Sequence, residues 1–156
     1  MVTGGAGFIG SNIVDLLVEN GYQVSILDNL SRGKKENINK QAKFYQVDIK
    51  EAKELDEAIG KEKPEAIIHQ AAQVNVRVSL ENPVSDAKNN IIGPINLIQS
   101  AIKHGVKKIT FSSSGGAVYG DPEKVPCQET DRIRPLSPYG ISKRSLELYI
   151  QAFSRL

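Results

Sequence analysis

Apolar positions along this chain follow two periods that alternate. Short runs rich in β-branched and aromatic residues at 22–27 (YQVSIL), 44–47 (FYQV), 66–69 (AIIH) and 108–112 (KITFS) predict strands. Between them the spacing becomes helical. Ile9, Ile13, Leu16 and Leu17 share one helix face, and Asn20-Gly21 supplies the closing cap. Leu55, Ala58 and Ile59 predict a second helix, ending near Gly60 and Pro64. Ile91, Ile95, Ile98, Ala101 and Ile102 predict a third, closed by Gly105. A last helix is expected from about Pro138 through Leu146, Ile150 and Phe153. Strands alternating with helices predict an α/β fold, a parallel sheet covered by helices on both faces. The first strand is reduced to Met1-Val2-Thr3, and no strand follows the last helix. The sheet is therefore expected to be truncated at both ends.

The joint between the first strand and first helix reads TGGAGFIG, residues 3–10. It holds Gly5-x-Gly7-x-x-Gly10 and also Gly4-x-x-Gly7-x-x-Gly10. Such a turn bends tightly, lets backbone approach a pyrophosphate and aims helix N-terminal amides at the phosphates. The next strand ends at Asp28, 18 residues after Gly10. A carboxylate there accepts hydrogen bonds from an adenosine ribose and repels a 2′-phosphate, which favours NAD over NADP. Arg32 nearby pulls the other way. The pattern predicts a Rossmann-like, doubly wound parallel sheet with strand order about 3-2-1-4-5.

The strand KITFS runs into Ser113-Ser114-Gly115-Gly116. Serines at the carboxyl end of a parallel strand face the crevice where such sheets bind ligands. Further on, SPYGISK places Tyr139 and Lys143 four apart on one helix face. An ammonium close to a phenol stabilises the phenolate, which suits general-base chemistry near neutral pH. Behind a glycine turn, an acidic residue and a serine-rich strand end, in that order, the pair becomes a specific signal.

Composition narrows the classes. A length of 156 residues suits one domain. A net charge of +2 gives no electrostatic reason to expect nucleic acid or a membrane surface as partner. One cysteine, Cys127, excludes an internal disulfide and reads as a loop thiol. No apolar run reaches membrane-spanning length and no signal-like N-terminus is evident, so the cytoplasm is the expected location. His69 and His104 have no other ligands spaced to join them, and no metal is expected.

With these motifs in place the chain resembles the extended short-chain dehydrogenase/reductase family, and within it the nucleotide-sugar epimerases of the UDP-glucose 4-epimerase branch. The resemblance rests on TGGAGFIGSN (3–12), LDNLSRG (27–33), VDI (47–49), HQAAQ (69–73), NNIIG (89–93), FSSSGGAVYG (111–120) and SPYGISK (137–143). It implies that residues 1–156 form the NAD-binding domain, with the substrate-gripping C-terminal region absent. It also implies roles. Gly4, Gly7 and Gly10 belong to the phosphate turn, with Phe8 and Ile9 as its backbone contacts. Asp28, Asn29, Leu30, Ser31, Arg32 and Gly33 match the adenosine-ribose loop, and Asp48 and Ile49 the adenine contact. Gln70, Ala71, Ala72, Gln73 and Val74 match the strand end beside the nicotinamide side. Asn89, with Asn90 as its neighbour, matches a polar cofactor contact, and Ser112 a serine near the nicotinamide. Ser114, Tyr139 and Lys143 match the catalytic residues, with Tyr139 and Lys143 also touching the cofactor.

The implied reaction is epimerisation at carbon 4 of a nucleotide-linked hexose of the UDP-glucose/UDP-galactose type. Tyr139 as phenolate, helped by Ser114, takes the 4-hydroxyl proton. Hydride leaves carbon 4 for NAD, and the resulting 4-keto sugar turns over and takes it back on its other face. The related dehydratases carry an Asp-Glu pair where this chain has Gly115-Gly116-Ala117, and decarboxylases usually carry an acid there, so both are disfavoured. A non-catalytic dinucleotide-binding module is the other class of reading. The joint presence of Ser114, Tyr139 and Lys143 argues against it. The resemblance further implies a homodimer, paired through the helix before Gly105 and the one starting near Tyr139.

Two departures from the family pattern carry expectations. Gly115-Gly116 adds one residue to the usual serine run. Counting forward from the strand selects Ser114, and counting back from Tyr119 selects Gly115. The forward count is preferred, with Ser113 as the fallback. Pro94 stands where threonine is usual, which predicts a kink or break between Asn90 and Pro94.

Overall fold

All five strands form, some shorter than their hydrophobic patterns. β1 (Val2–Thr3), β2 (Ser25–Leu27), β3 (Lys43–Tyr45), β4 (Ala66–His69) and β5 (Lys108–Phe111) lie parallel in one sheet. Its order is β3-β2-β1-β4-β5, as expected. The structure, a computed structural model, describes residues 1–155. Leu156, the last residue of the expected domain, lies outside the described residues. The helices are α1 (Phe8–Glu19), α2 (Ala52–Glu62), α3 (Val76–Glu81), α4 (Pro83–Ala87), α5 (Gly93–Lys103), α6 (Gly115–Val118) and α7 (Pro138–Phe153). Two compact units result. The first comprises Met1–Ala72 and Asn96–Ser112, and the second Gln73–Ile95 with the chain from Ser113 onward.

In the first unit the sheet carries a core on each face. Leu27 and Ile67 pack with Leu55, Ala58 and Ile59 of α2 and Leu97 and Ala101 of α5. Val2, Val24 and Ile26 pack with Val14 of α1. Neighbouring strand residues point to opposite faces, so Ile26 and Leu27 enter different cores. Each such side chain contributes roughly 1.5–3 kcal/mol by leaving water. The strand order reverses between β1 and β4, which makes the carboxyl ends of these two strands the ligand-binding end of the sheet.

The differences from expectation have local causes. β2 starts at Ser25 rather than at residue 22, because the Tyr22 amide bonds to the Leu17 carbonyl and so closes α1. β3 spans Lys43–Tyr45 rather than 44–47. The second helix ends between Gly60 and Pro64, as expected. It continues to Glu62 and is stopped by Lys63 in the left-handed region, φ 48°. Gly60 instead makes room for a neighbour, since a β-carbon there would lie 2.7 Å from Cε1 of His104.

The second unit is helical. α3 starts under Asn75, whose side chain accepts from the Arg77 and Val78 amides, and α4 starts under Asn82 with Pro83 in its first turn. The irregularity expected between Asn90 and Pro94 is a π-helical turn over Lys88–Ile92. Gly93 beyond it is right-handed helical, so the chain widens by one residue rather than breaking. The wider turn suits Pro94, which lacks an amide and whose ring would collide with the carbonyl four residues back.

Candidate active site

In the first unit the residues after β1 form a cradle. Gly4 is left-handed, φ 68°, and a β-carbon on it would lie 2.6 Å from the Ala71 amide nitrogen just past β4. Gly10 seats the first turn of α1 on that bend, and a β-carbon there would lie 2.2 Å from the Gly4 carbonyl oxygen. Gly7 is the N-cap of α1 and no side chain caps the helix start. The amides of the first turn therefore remain available to an anion. Phe8 and Ile9 stand exposed beside them.

Asp28 follows β2 and is 6% exposed. Its Oδ2 accepts from the Ala6 amide at 3.0 Å and its Oδ1 from the Leu30 amide at 2.8 Å. The carboxylate thus ties the glycine turn to the loop through Asn29, Leu30, Ser31, Arg32 and Gly33. A second tie was not legible in the sequence: the Ala6 carbonyl accepts from the Lys34 amide and from Nδ2 of Asn37. Asp48 accepts from Nδ2 of Asn29 and from the amide and ammonium of Lys50. Partial burial works to raise its pKa, but the bonds from Lys50 and Asn29 outweigh that and hold the carboxyl below its ordinary value. Ile49 points into the core, and its carbonyl accepts from Nδ2 of Asn96, another partner the sequence reading missed. At the strand ends Thr3 Oγ1 and His69 Nδ1 lie 2.7 Å apart, the Ala71 amide donates to Thr3 Oγ1, and Ser112 Oγ donates to Gln70 Oε1. Ala72 follows, half-buried.

The second unit holds the tyrosine and lysine. Ser137 caps α7 by accepting from the Gly140 amide, with Pro138 in the first turn. Tyr139 and Lys143 then fall on one face, 9% and 7% exposed. The ammonium lies 5.9 Å from the centre of the tyrosine ring. Burial lowers the Lys143 pKa below its ordinary value, and the negative charge of Asp86 opposes that shift. Gly140 brings α7 against α6, since a β-carbon there would lie 2.4 Å from the Ala117 carbonyl oxygen.

Ser114 is the N-cap residue of α6, and its hydroxyl makes no cap bond. Gly115 and Gly116 open this single helical turn. Ser113, the fallback, donates its hydroxyl to Glu147 Oε1, whose other oxygen pairs with Arg144. Asn90 is buried and engaged twice with Gln73, amide to Oδ1 and Nδ2 to carbonyl, and once with Asp86. Asn89 is half-buried and donates to the Ser85 carbonyl, and Val74 is exposed.

The chain is similar to known proteins over its whole length. A protein of Methanocaldococcus jannaschii is 55% identical over 156 residues, 100% of this chain and 51% of its own length. The UDP-glucose 4-epimerase of Mycolicibacterium smegmatis is 40% identical over 161 residues, again 100% of this chain and 51% of its own length. The crystal structure of Thermus thermophilus UDP-glucose 4-epimerase in complex with NAD matches with a TM-score of 0.96 at 44% identity, covering 99% of this chain and 50% of that one. The chain thus spans about half the length of the curated relatives it matches. The family model matches residues 1–156, and the chain belongs to the NAD dependent epimerase/dehydratase family.

Proposed function

We propose that this chain is the NAD-holding, tyrosine-bearing part of an enzyme that epimerises carbon 4 of a nucleotide-linked hexose of the UDP-glucose/UDP-galactose type. The observation that carries this reading is the buried pair on α7, with the Lys143 ammonium 5.9 Å from the Tyr139 ring centre. A cofactor sensor has no need of such a pair. The Gly115-Gly116-Ala117 turn offers no acid or base for elimination, which argues against a dehydratase.

The residues of the cradle fit a dinucleotide. The pyrophosphate would meet the uncapped amides of α1, where Gly4 and Gly10 leave no room for side chains. Each Asp28 oxygen accepts one backbone amide, which leaves a lone pair on each for ribose hydroxyls. Asn29 to Gly33, Asp48 and Ile49 would border the adenosine, and Gln70 to Val74, Asn89, Asn90 and Ser112 the nicotinamide half. When bound, NAD supplies the reversible hydride acceptor that oxidation to a 4-keto sugar requires. Tyr139, as phenolate, takes the proton of the 4-hydroxyl and later returns it, and Ser114 hydrogen-bonds the same hydroxyl. Lys143 stabilises the phenolate by its charge and would hold the nicotinamide ribose.

On this reading residues 1–156 are one functional domain of a cytoplasmic homodimer. Ile102 on α5 and Leu148 and Tyr149 on α7 are exposed apolar side chains that a second copy could cover. Among the described residues no helix is long and apolar enough to cross a membrane. The test is interconversion of UDP-glucose and UDP-galactose by the complete protein with NAD supplied, alongside its Tyr139→Phe variant. Interconversion lost in the variant supports the reading. Undiminished turnover by the variant would overturn the mechanism.

A further inference from the structure

The second unit contains a buried carboxylate that the mechanism above does not use. Asp86, on α4, is 1% exposed. It accepts three side-chain hydrogen bonds. Ser142 Oγ donates to Oδ2 at 2.7 Å, and Nδ2 of Asn90 and Nε2 of Gln73 each donate to Oδ1 at 2.9 Å. Ser142 is itself buried and immediately precedes Lys143 on α7. A buried charge is tolerated when it is hydrogen-bonded and faces an opposite charge. We propose that Asp86 is a positioning residue: the buried counter-charge of Lys143 and, through Ser142, the anchor that sets where on α7 that lysine stands. This rests on the epimerase reading for its catalytic meaning, while the Ser142–Asp86 bond beside Lys143 is independent of that reading.

The surroundings single out Asp86. The elements packed on α7 are α3, α4, α6 and the π turn. Their other charged groups, Arg77 and Glu81 on α3 and Lys88 in the π turn, are exposed, and α6 carries none. On α7 itself Arg144 and Glu147 pair with each other, and the other titratable side chains besides Lys143 are Tyr139 and Tyr149. Burial favours the neutral amine of Lys143, and Asp86 opposes that preference. A group on another helix thus counteracts the effect of burial on the Lys143 charge.

The test uses the complete protein with lysine side chains isotopically labelled, the Lys143 signal being assigned by comparison with a Lys143→Arg variant. In Asp86→Asn the Lys143 titration is expected to move down by about one pH unit, and the alkaline limb of activity with it. A Lys143 titration that does not move in a folded Asp86→Asn protein would refute the counter-charge. Ser142→Ala keeps the charge and removes the anchor. It is expected to lower kcat about tenfold with the alkaline limb in place, as misplacement of a positioned group does. Unchanged kcat in Ser142→Ala would refute the anchor, and this arm also serves if Asp86→Asn does not fold. A wild-type protein without epimerase activity, whose Lys143 titration still responds to Asp86→Asn, would sink the epimerase reading and leave the coupling intact.

Discussion

A β-carbon at position 10 has nowhere to go, because it would lie 2.2 Å from the Gly4 carbonyl oxygen. Gly10→Ala must therefore push the start of α1 away from the turn, at a cost of about 1–3 kcal/mol. Thermal unfolding should record that loss, and a titration with NAD should show weakened binding if the same amides meet the pyrophosphate as proposed. The chemistry at Tyr139 is separable from stability. On the proposed mechanism Tyr139→Phe removes the oxygen that would transfer the proton, and in the complete protein it should cut kcat by at least about 100-fold while NAD still binds. Both glycine and tyrosine could be chosen from local spacing. Asp86 could not, because its partners at 73, 90 and 142 are distant in sequence and its role exists only once they surround it.

Two glycines with different neighbours give opposite expectations at the level of elements. Gly140 lies in α7 against α6, where a β-carbon would approach the Ala117 carbonyl oxygen to 2.4 Å. Gly116 lies inside α6, and a β-carbon there meets nothing within 4 Å. Gly140→Ala should force the helices apart and destabilise the protein by about 1–3 kcal/mol. Gly116→Ala should be neutral or stabilise it by up to about 1 kcal/mol through helix propensity. Urea unfolding of the two variants separates them, and equal losses would contradict the packing described. The π turn before Pro94 is likewise an element-level result. Proline chemistry announced an irregularity, and the structure shows that the chain widens over Lys88–Ile92 rather than breaking. The short helices that start at Asn75 and at Asn82-Pro83 were not expected, because they lack a long apolar period to mark them.

For the whole molecule, pH response follows from contacts between elements. The Tyr45 hydroxyl on β3 donates to Glu62 Oε2 on α2 at 2.7 Å. That bond, with smaller contributions from burial and the Glu62 charge, raises the phenol to about 12. The folded state thus favours the protonated phenol. The stabilisation is fully present below about pH 10 and is lost as pH rises through about 12. Lys143 acts in the opposite sense. Its lowered pKa makes the folded state gain stability as pH rises toward the lysine's ordinary value. Tyr45→Phe should remove the alkaline loss and expose the gain. Circular dichroism unfolding at about pH 9 and about pH 12 checks this, and an undiminished alkaline loss in the variant would exclude the Tyr45–Glu62 bond as its source. Taken alone, the sequence determined the alternation of strands and helices, the glycine turn, the acidic end of β2, the serine run and the tyrosine–lysine spacing. All of these are set by residue type and near-neighbour periodicity. Tertiary structure decided what long-range contacts set: that Ser113 is engaged by Glu147, that Gly60 accommodates His104 and that Asn90 is a buried strut. It also decided that a carboxylate on α4 acts on the charge of Lys143, because electrostatics in a buried site depends on which groups folding brings near, not on their separation along the chain.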